Sequence, residues 1–262
     1  ANCDKLDAPS VLSRVTQKAQ ALGLHLVTSK PTSLLLPDAE CIPDNEIHAS
    51  VDVLIAFGGD GTFLSAVRTL GDCNIPVMGV NLGSLGFMTS VPQQHVERAL
   101  DALAEGKCKT SLRTLALTRI YRNEVEVAFH RALNDVVVGW GDSTRVVTLS
   151  MVIDDDEVTS YVCDGLILST PTGSTGHQLS AGGPILHPET PAFAVNVICP
   201  HTLSARPLVV PDRSRITVHI SRAPKELILS VDGQPAQRIL QGDRIEVARS
   251  PQPLQLLQLP DY

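Results

Sequence analysis

The pentapeptide Gly58-Gly59-Asp60-Gly61-Thr62 follows an apolar run at 51–57 and leads into 63–70, whose spacing reads as a helix. A buried strand thus delivers an acidic side chain into a glycine-rich turn at a helix N-terminus. Glycines there let backbone N–H groups approach phosphate oxygens, and the helix end favours anions. Asp60 is the odd member of such a loop. A carboxylate among phosphates is repulsive unless it holds a metal, orients a hydroxyl or takes a proton. The combination points to phosphoryl transfer on a nucleotide-like substrate. The plainer alternative is a tight strand-to-helix turn whose Asp is only the helix cap.

A chain of 262 residues, 43% hydrophobic and 19% charged, can build one large domain or two modest ones with real cores. The net charge of −7 leaves no basic surplus to neutralise a nucleic-acid backbone, so no nucleic-acid partner is expected. The six cysteines are scattered without a CxxC pair, which argues against a zinc site or a disulfide framework. Cys163 is read as a buried, inert thiol rather than a reactive one. No apolar run approaches the roughly 20 residues of a membrane span. The expectation is a soluble, cytoplasmic protein without a membrane partner.

The first hundred residues alternate between helix and strand. Helical spacing marks 9–22, 62–70 and 95–103, with strands at 25–27, 51–57 and 76–80 and an irregular, proline-bearing stretch at 31–47. That alternation implies a Rossmann-like α/β domain with a parallel sheet over 1–106. Beyond Lys107 the pattern turns to β-rich segments at 112–121, 124–130, 132–139, 144–153, 157–162, 215–221, 225–231 and 243–248. Turn signals such as Asp154-Asp155 and Asp232-Gly233 separate several of them. This half, 107–250, reads as an all-β sandwich. The tail 251–262 is expected to pack back on the first domain.

Three further segments carry chemistry. A second glycine turn, Asn81 to Phe87, follows strand 76–80, and ligands of open parallel sheets sit beyond the carboxyl ends of strands. Asp164 to Ser169 reads as a buried strand, followed by the hydroxyl-rich turn Thr170 to His177, whose short polar groups suit ribose hydroxyls, phosphates or an adenine edge. Asn134 and Asp135 interrupt an otherwise apolar strand, where an unpaired amide or carboxylate costs free energy. Either they end that strand at the surface or they hydrogen-bond a ligand.

Taken in order, 58–62, 81–87, 134–135, 164–175, 180–184 and 200–207 (Pro-His-Thr-Leu-Ser-Ala-Arg-Pro) resemble the NAD kinase family. The glycine-aspartate loop alone would fit the wider group that includes lipid kinases and 6-phosphofructokinases; the later segments narrow it. The resemblance implies an active site between the two domains and a homodimer or homotetramer in which a neighbouring subunit completes the NAD site. It implies NAD as substrate, ATP as donor and Mg²⁺ on the donor's phosphates. Thr62 is similar to family members that accept inorganic polyphosphate. Position by position, Asp60 resembles the catalytic aspartate near the 2′-hydroxyl of the adenosine ribose. Gly59 and Gly61 match the loop around the diphosphate, with Thr62 beside them and Asn81 and Phe87 in the neighbouring turn as further expected contacts. Asn134 and Asp135 match the pair that engages ribose and adenine. Thr172, Thr175 and Ser180 match polar contacts to NAD, with Gly176 and His177 as further expected contacts in the same segment, and Asp164 resembles a carboxylate near the nicotinamide-side ribose.

The chain departs from the family at His177, where a tyrosine is usual, at Gly176 in place of alanine, and at Val162-Cys163 before Asp164. It begins at residues resembling the loop after the first strand of such domains, so that strand is expected to be missing. Two other activities stay open at this level: a lipid or sphingoid-base kinase, and a silent dinucleotide-binding regulatory module. The former should bring apolar or basic membrane-binding surface, which this acidic chain lacks.

Overall fold

The computed structural model describes residues 1–71, 73–83, 86–140, 146–223 and 226–261. Ser84 and Leu85 of the second glycine turn, residues 144–145 of one expected strand and Lys225 of another lie outside the described residues. The chain divides into two compact units, one formed by 1–112 with 254–262, the other by 113–253.

In the first unit, strand Val77–Asn81 is buried along its whole length, as a strand covered on both faces of a parallel sheet must be. Strand Leu54–Gly58 runs parallel along one edge of it. Its other edge takes Leu254–Gln258 beside Val77 and Met78, then Val91–Pro92 beside Val80 and Asn81. The chain's tail therefore enters this sheet as a strand, and Lys109–Arg113 continues it beyond. Helix Ala8–Leu22 buries Val11, Leu12, Val15 and Ala19, a one-sided stripe. Its polar flank meets helix Val96–Ala104 through Arg14–Glu97 and Lys18–Asp101 ion pairs. The stretch read as irregular, 31–47, holds one-turn helices and the short strand Glu40–Cys41, which pairs with Val27–Thr28.

The second unit is a sandwich of two six-stranded sheets. In order, one contains Asp156–Cys163, Val147–Ile153, Ile216–Arg222, Arg244–Arg249, Ala116–Arg122 and Val125–Ala132. The other contains Leu208–Pro211, Ala192–Ile198, Gly165–Ser169, Asp135–Trp140, Leu227–Val231 and Gln234–Ile239. Every recorded pairing in both is antiparallel. Alternate residues such as Val136, Val138, Leu166, Leu168, Phe193 and Val195 fill the space between the sheets. Ile167 and Ser169 point the other way yet are fully buried. Gly165–Ser169 and residues 192–197 are therefore buried at every position, Asn196 included.

Two readings need correction. The segment 112–121 is not one strand: it breaks at Thr114-Leu115, and its first part, Lys109–Arg113, joins the parallel-sheet unit. Strands Ala192–Ile198, Leu208–Pro211 and Gln234–Ile239 fall outside the expected segments, the first because near-continuous burial erases the period-two alternation that betrays a half-exposed strand.

Candidate functional site

The turn after strand Leu54–Gly58 opens helix Asp60–Leu70, with Gly59 at the N-cap and no side-chain cap bond. The reading of Asp60 as a mere cap is thereby set aside. Its carboxylate turns instead to the end of the second glycine turn and the residues just after it. Oδ2 accepts the Phe87 N–H at 3.0 Å. Oδ1 accepts the N–H groups of Met88 at 3.1 Å and Thr89 at 3.2 Å, and the Thr89 hydroxyl at 3.2 Å. Asn81, buried at the end of its strand, donates through Nδ2 to Thr89 Oγ1 at 2.9 Å, and its Oδ1 accepts the Gly83 N–H. The two glycine turns are thus tied together through one acid.

Gly86 permits this approach, because a Cβ there would lie 2.2 Å from Asp60 Oδ1. The N–H groups of Thr62 and Phe63 bond back to Gly59 O. Those of Asp60 and Gly61 bond nothing among the described residues. Two free donors at a helix start beside a held carboxylate can bind an anion and orient a hydroxyl together. Phe87 is mostly exposed, its ring outside this network.

In the sandwich unit, Asn134 and Asp135 do not simply end a strand at the surface. Asp135 is 4% exposed and opens the central strand Asp135–Trp140. The turn Asp232-Gly233, with φ of 49° and 74°, folds an acid back onto them. Asp232 Oδ2 accepts the Leu133 N–H at 3.0 Å, while Oδ1 accepts those of Asn134 at 2.7 Å and Asp135 at 3.2 Å. Burial, then the neighbouring Asp232, pushes the Asp135 carboxyl up to about 7.

Asn134 also anchors the hydroxyl-rich segment. Its carbonyl accepts the Thr170 N–H at 2.9 Å and the Ser169 hydroxyl at 3.3 Å. Gly173 lies so close that a Cβ would come within 2.1 Å of Asn134 O. The chain then makes one turn at Thr172–Thr175 and another at His177–Ser180. Gly176, His177 and Ser180 are exposed, Thr175 is half-buried and Thr172 is buried. Asn134 Oδ1, Thr172 Oγ1 and both amide atoms of Gln178 are buried without a hydrogen-bond partner among the described residues. Such atoms cost about 1–3 kcal/mol each, so this is where a polar ligand gains most.

Asp164 is not part of that group. It sits before the first residue of strand Gly165–Ser169, whereas Asn134 and Thr170 lie at its far end. At about 3.3 Å per residue the separation is on the order of 20 Å. Cys163 is fully buried, and burial pushes its thiol up to about 11, so it is inert. Thr89 and Asp232 were not singled out as site residues from sequence. Thr89 carries no local signal, and Asp-Gly announced only a turn.

The ATP-NAD kinase N-terminal domain model matches residues 12–108, and the ATP-NAD kinase C-terminal domain model matches 133–259. The chain belongs to the NAD kinase family. An NAD kinase of Citrifermentans bemidjiense is 38% identical over 84% of this chain and 77% of its own length. One from Gemmatimonas aurantiaca is 38% identical over 96% and 86%. The crystal structure of yeast NADH kinase complexed with NADH superposes with a TM-score of 0.89 at 26% identity, covering 95% of this chain and 79% of that one. As a member of the family this chain is a kinase that phosphorylates NAD with ATP, and the comparisons do not favour the lipid-kinase and silent-module readings. Among the described residues no helix is long and apolar enough to cross a membrane.

Proposed function

We propose that Asp60 is the group that receives the acceptor's proton: the 2′-hydroxyl of the adenosine ribose of NAD meets it, and phosphorylation there gives NADP. The observation that carries this reading is the hold on the carboxylate. Oδ1 takes three donors and Oδ2 one, so the group has a fixed orientation and an Oδ2 lone pair left for a hydroxyl. A ribose hydroxyl is a poor nucleophile near neutral pH, and a positioned carboxylate can align it and take its proton. The free N–H groups of Asp60 and Gly61 favour the donor's phosphates, with Gly59 and Thr62 shaping the loop.

The rest of the reaction is alignment and charge neutralisation. Mg²⁺ bound to the phosphates of ATP would supply part of that neutralisation. Among the described residues no group of three or more His, Cys, Asp or Glu could itself hold a metal ion. Asn134, Asp135, Thr172, Thr175, Gly176, His177 and Ser180 would hold NAD, supported by the unpartnered buried polar atoms among them. The distance of Asp164 from this group favours an NAD site completed by a neighbouring copy, in a homodimer or homotetramer.

The test is NADP formation from NAD, ATP and Mg²⁺ by the Asp60→Asn variant. Turnover near that of the unmodified protein removes Asp60 from the reaction. Inorganic polyphosphate in place of ATP tests the donor expectation attached to Thr62.

A further inference from the structure

Asp135 and Asp232 form a buried pair of carboxyl groups, 4% and 7% exposed. Asp232 accepts three backbone N–H groups, an arrangement that favours its charged form. The Asp135 carboxyl accepts none from any described residue. Among the described residues only the backbone of Asp135 is engaged, its N–H donating to Asp232 Oδ1 and its carbonyl accepting the Asp232 N–H.

Val136 and Val138 fill the sandwich core, so Asp135 lies on the opposite face of its sheet. Flanking strands Gly165–Ser169 and Leu227–Val231 carry no ionisable side chain. Ser169, directly across from Asp135, gives its hydroxyl to the carbonyls of Thr170 and Asn134. The segment 170–183 packed beyond them bears only the exposed His177. Asp232 is therefore the charge that governs Asp135. Two neighbouring acids in a dry site do not both ionise, and the one with three donors keeps the charge.

We propose that Asp135 meets the dinucleotide as a neutral carboxylic acid, a hydrogen-bond donor, with Asp232 as the fixed anion that keeps the proton on it. The inference rests on the assignment of this segment to NAD. Asn134, the residue before Asp135, holds a buried Oδ1 without a hydrogen-bond partner among the described residues. A neutral Asp135 offers a donor, which a purine ring nitrogen can accept. An ionised Asp135 would offer two acceptors and repel that nitrogen. The elevation of its ionisation to about 7 places the change within reach of ordinary buffers.

The experiment is calorimetric titration of the purified protein with NAD between pH 6 and 8.5, for the unmodified chain, Asp135→Asn and Asp135→Leu, with circular dichroism as the fold check. The expected result is a Kd that rises tenfold or more across this range for the unmodified chain. Asp135→Asn, which keeps a donor but cannot ionise, should show a flat profile; Asp135→Leu should bind weakly throughout. A flat profile for the unmodified chain, or an Asn variant as weak as Leu at pH 6, overturns the proton assignment alone. A Leu variant that binds like the unmodified chain overturns the NAD assignment beneath it.

Discussion

Thr89 and Asp60, 29 residues apart in the chain, meet twice: both the backbone N–H and the hydroxyl of Thr89 donate to Asp60 Oδ1 at 3.2 Å. The acid in the first glycine turn is therefore oriented by the segment beyond the second. Its mobility, not only its charge, is set by tertiary structure.

Replacing Asp60 by Asn keeps one acceptor oxygen for Thr89 and Met88 but sets an amide N–H₂ against the Phe87 N–H. Turnover should fall about 10²–10⁴-fold, the usual contribution of a positioned base. The melting temperature should drop only slightly. Steady-state NADP formation beside a thermal melt checks both; a loss of fold equal to the loss of rate would contradict the assignment.

Gly86→Ala tests position without touching the acid. The new methyl would sit 2.2 Å from Asp60 Oδ1. Overpacking of that kind costs about 1–3 kcal/mol, relieved most easily by displacing the carboxylate. The expected outcome is at least a tenfold lower kcat in a protein that still melts cooperatively. Unchanged kcat would mean that the orientation of Asp60 has no bearing on the reaction.

Asp232→Ala removes the shared acceptor of the Leu133, Asn134 and Asp135 N–H groups. Leaving them unpaired should destabilise the protein by roughly 2–4 kcal/mol in urea unfolding. Asp232→Asn, which retains one acceptor oxygen, should cost less. Equal losses for the two variants would show that hydrogen bonding is not what Asp232 contributes.

Asp135 gives stability a pH dependence of definite sign. Its folded value, about 7, lies above the ordinary 3.8, with burial as the first cause and Asp232 as the second. The folded state then binds more protons than the unfolded chain between these values. The contribution is fully present below about pH 4 and is lost as pH rises through about 7. Asp135→Asn should therefore gain stability over the unmodified chain as pH goes from 4 to 8, by up to a few kcal/mol. Urea midpoints at pH 4, 6 and 8 measure it; a constant difference would place Asp135 in a wetter site.

Much of this was legible in the residues. Period-3.6 spacing of Val11, Leu12, Val15 and Ala19 marked a helix, and the glycine turn after 51–57 marked the end of a parallel strand where chemistry collects. Asp154-Asp155 and Asp232-Gly233 announced hairpin tips, because positive φ at such positions suits Asp and Gly. The family followed from segments whose order and spacing matched.

Sequence by itself determined the alternation that yields one α/β unit and one sandwich, and the polar residue types available for phosphoryl transfer. Only tertiary structure decided which groups meet. Local pattern cannot tell that Leu254–Gln258 lies beside Val77–Asn81, that Thr89 holds Asp60, or that Asp232 bonds the amides of 133–135. Hydrophobic periodicity records which side of an element is dry, whereas hydrogen-bond partners and ionisation depend on neighbours far away along the chain.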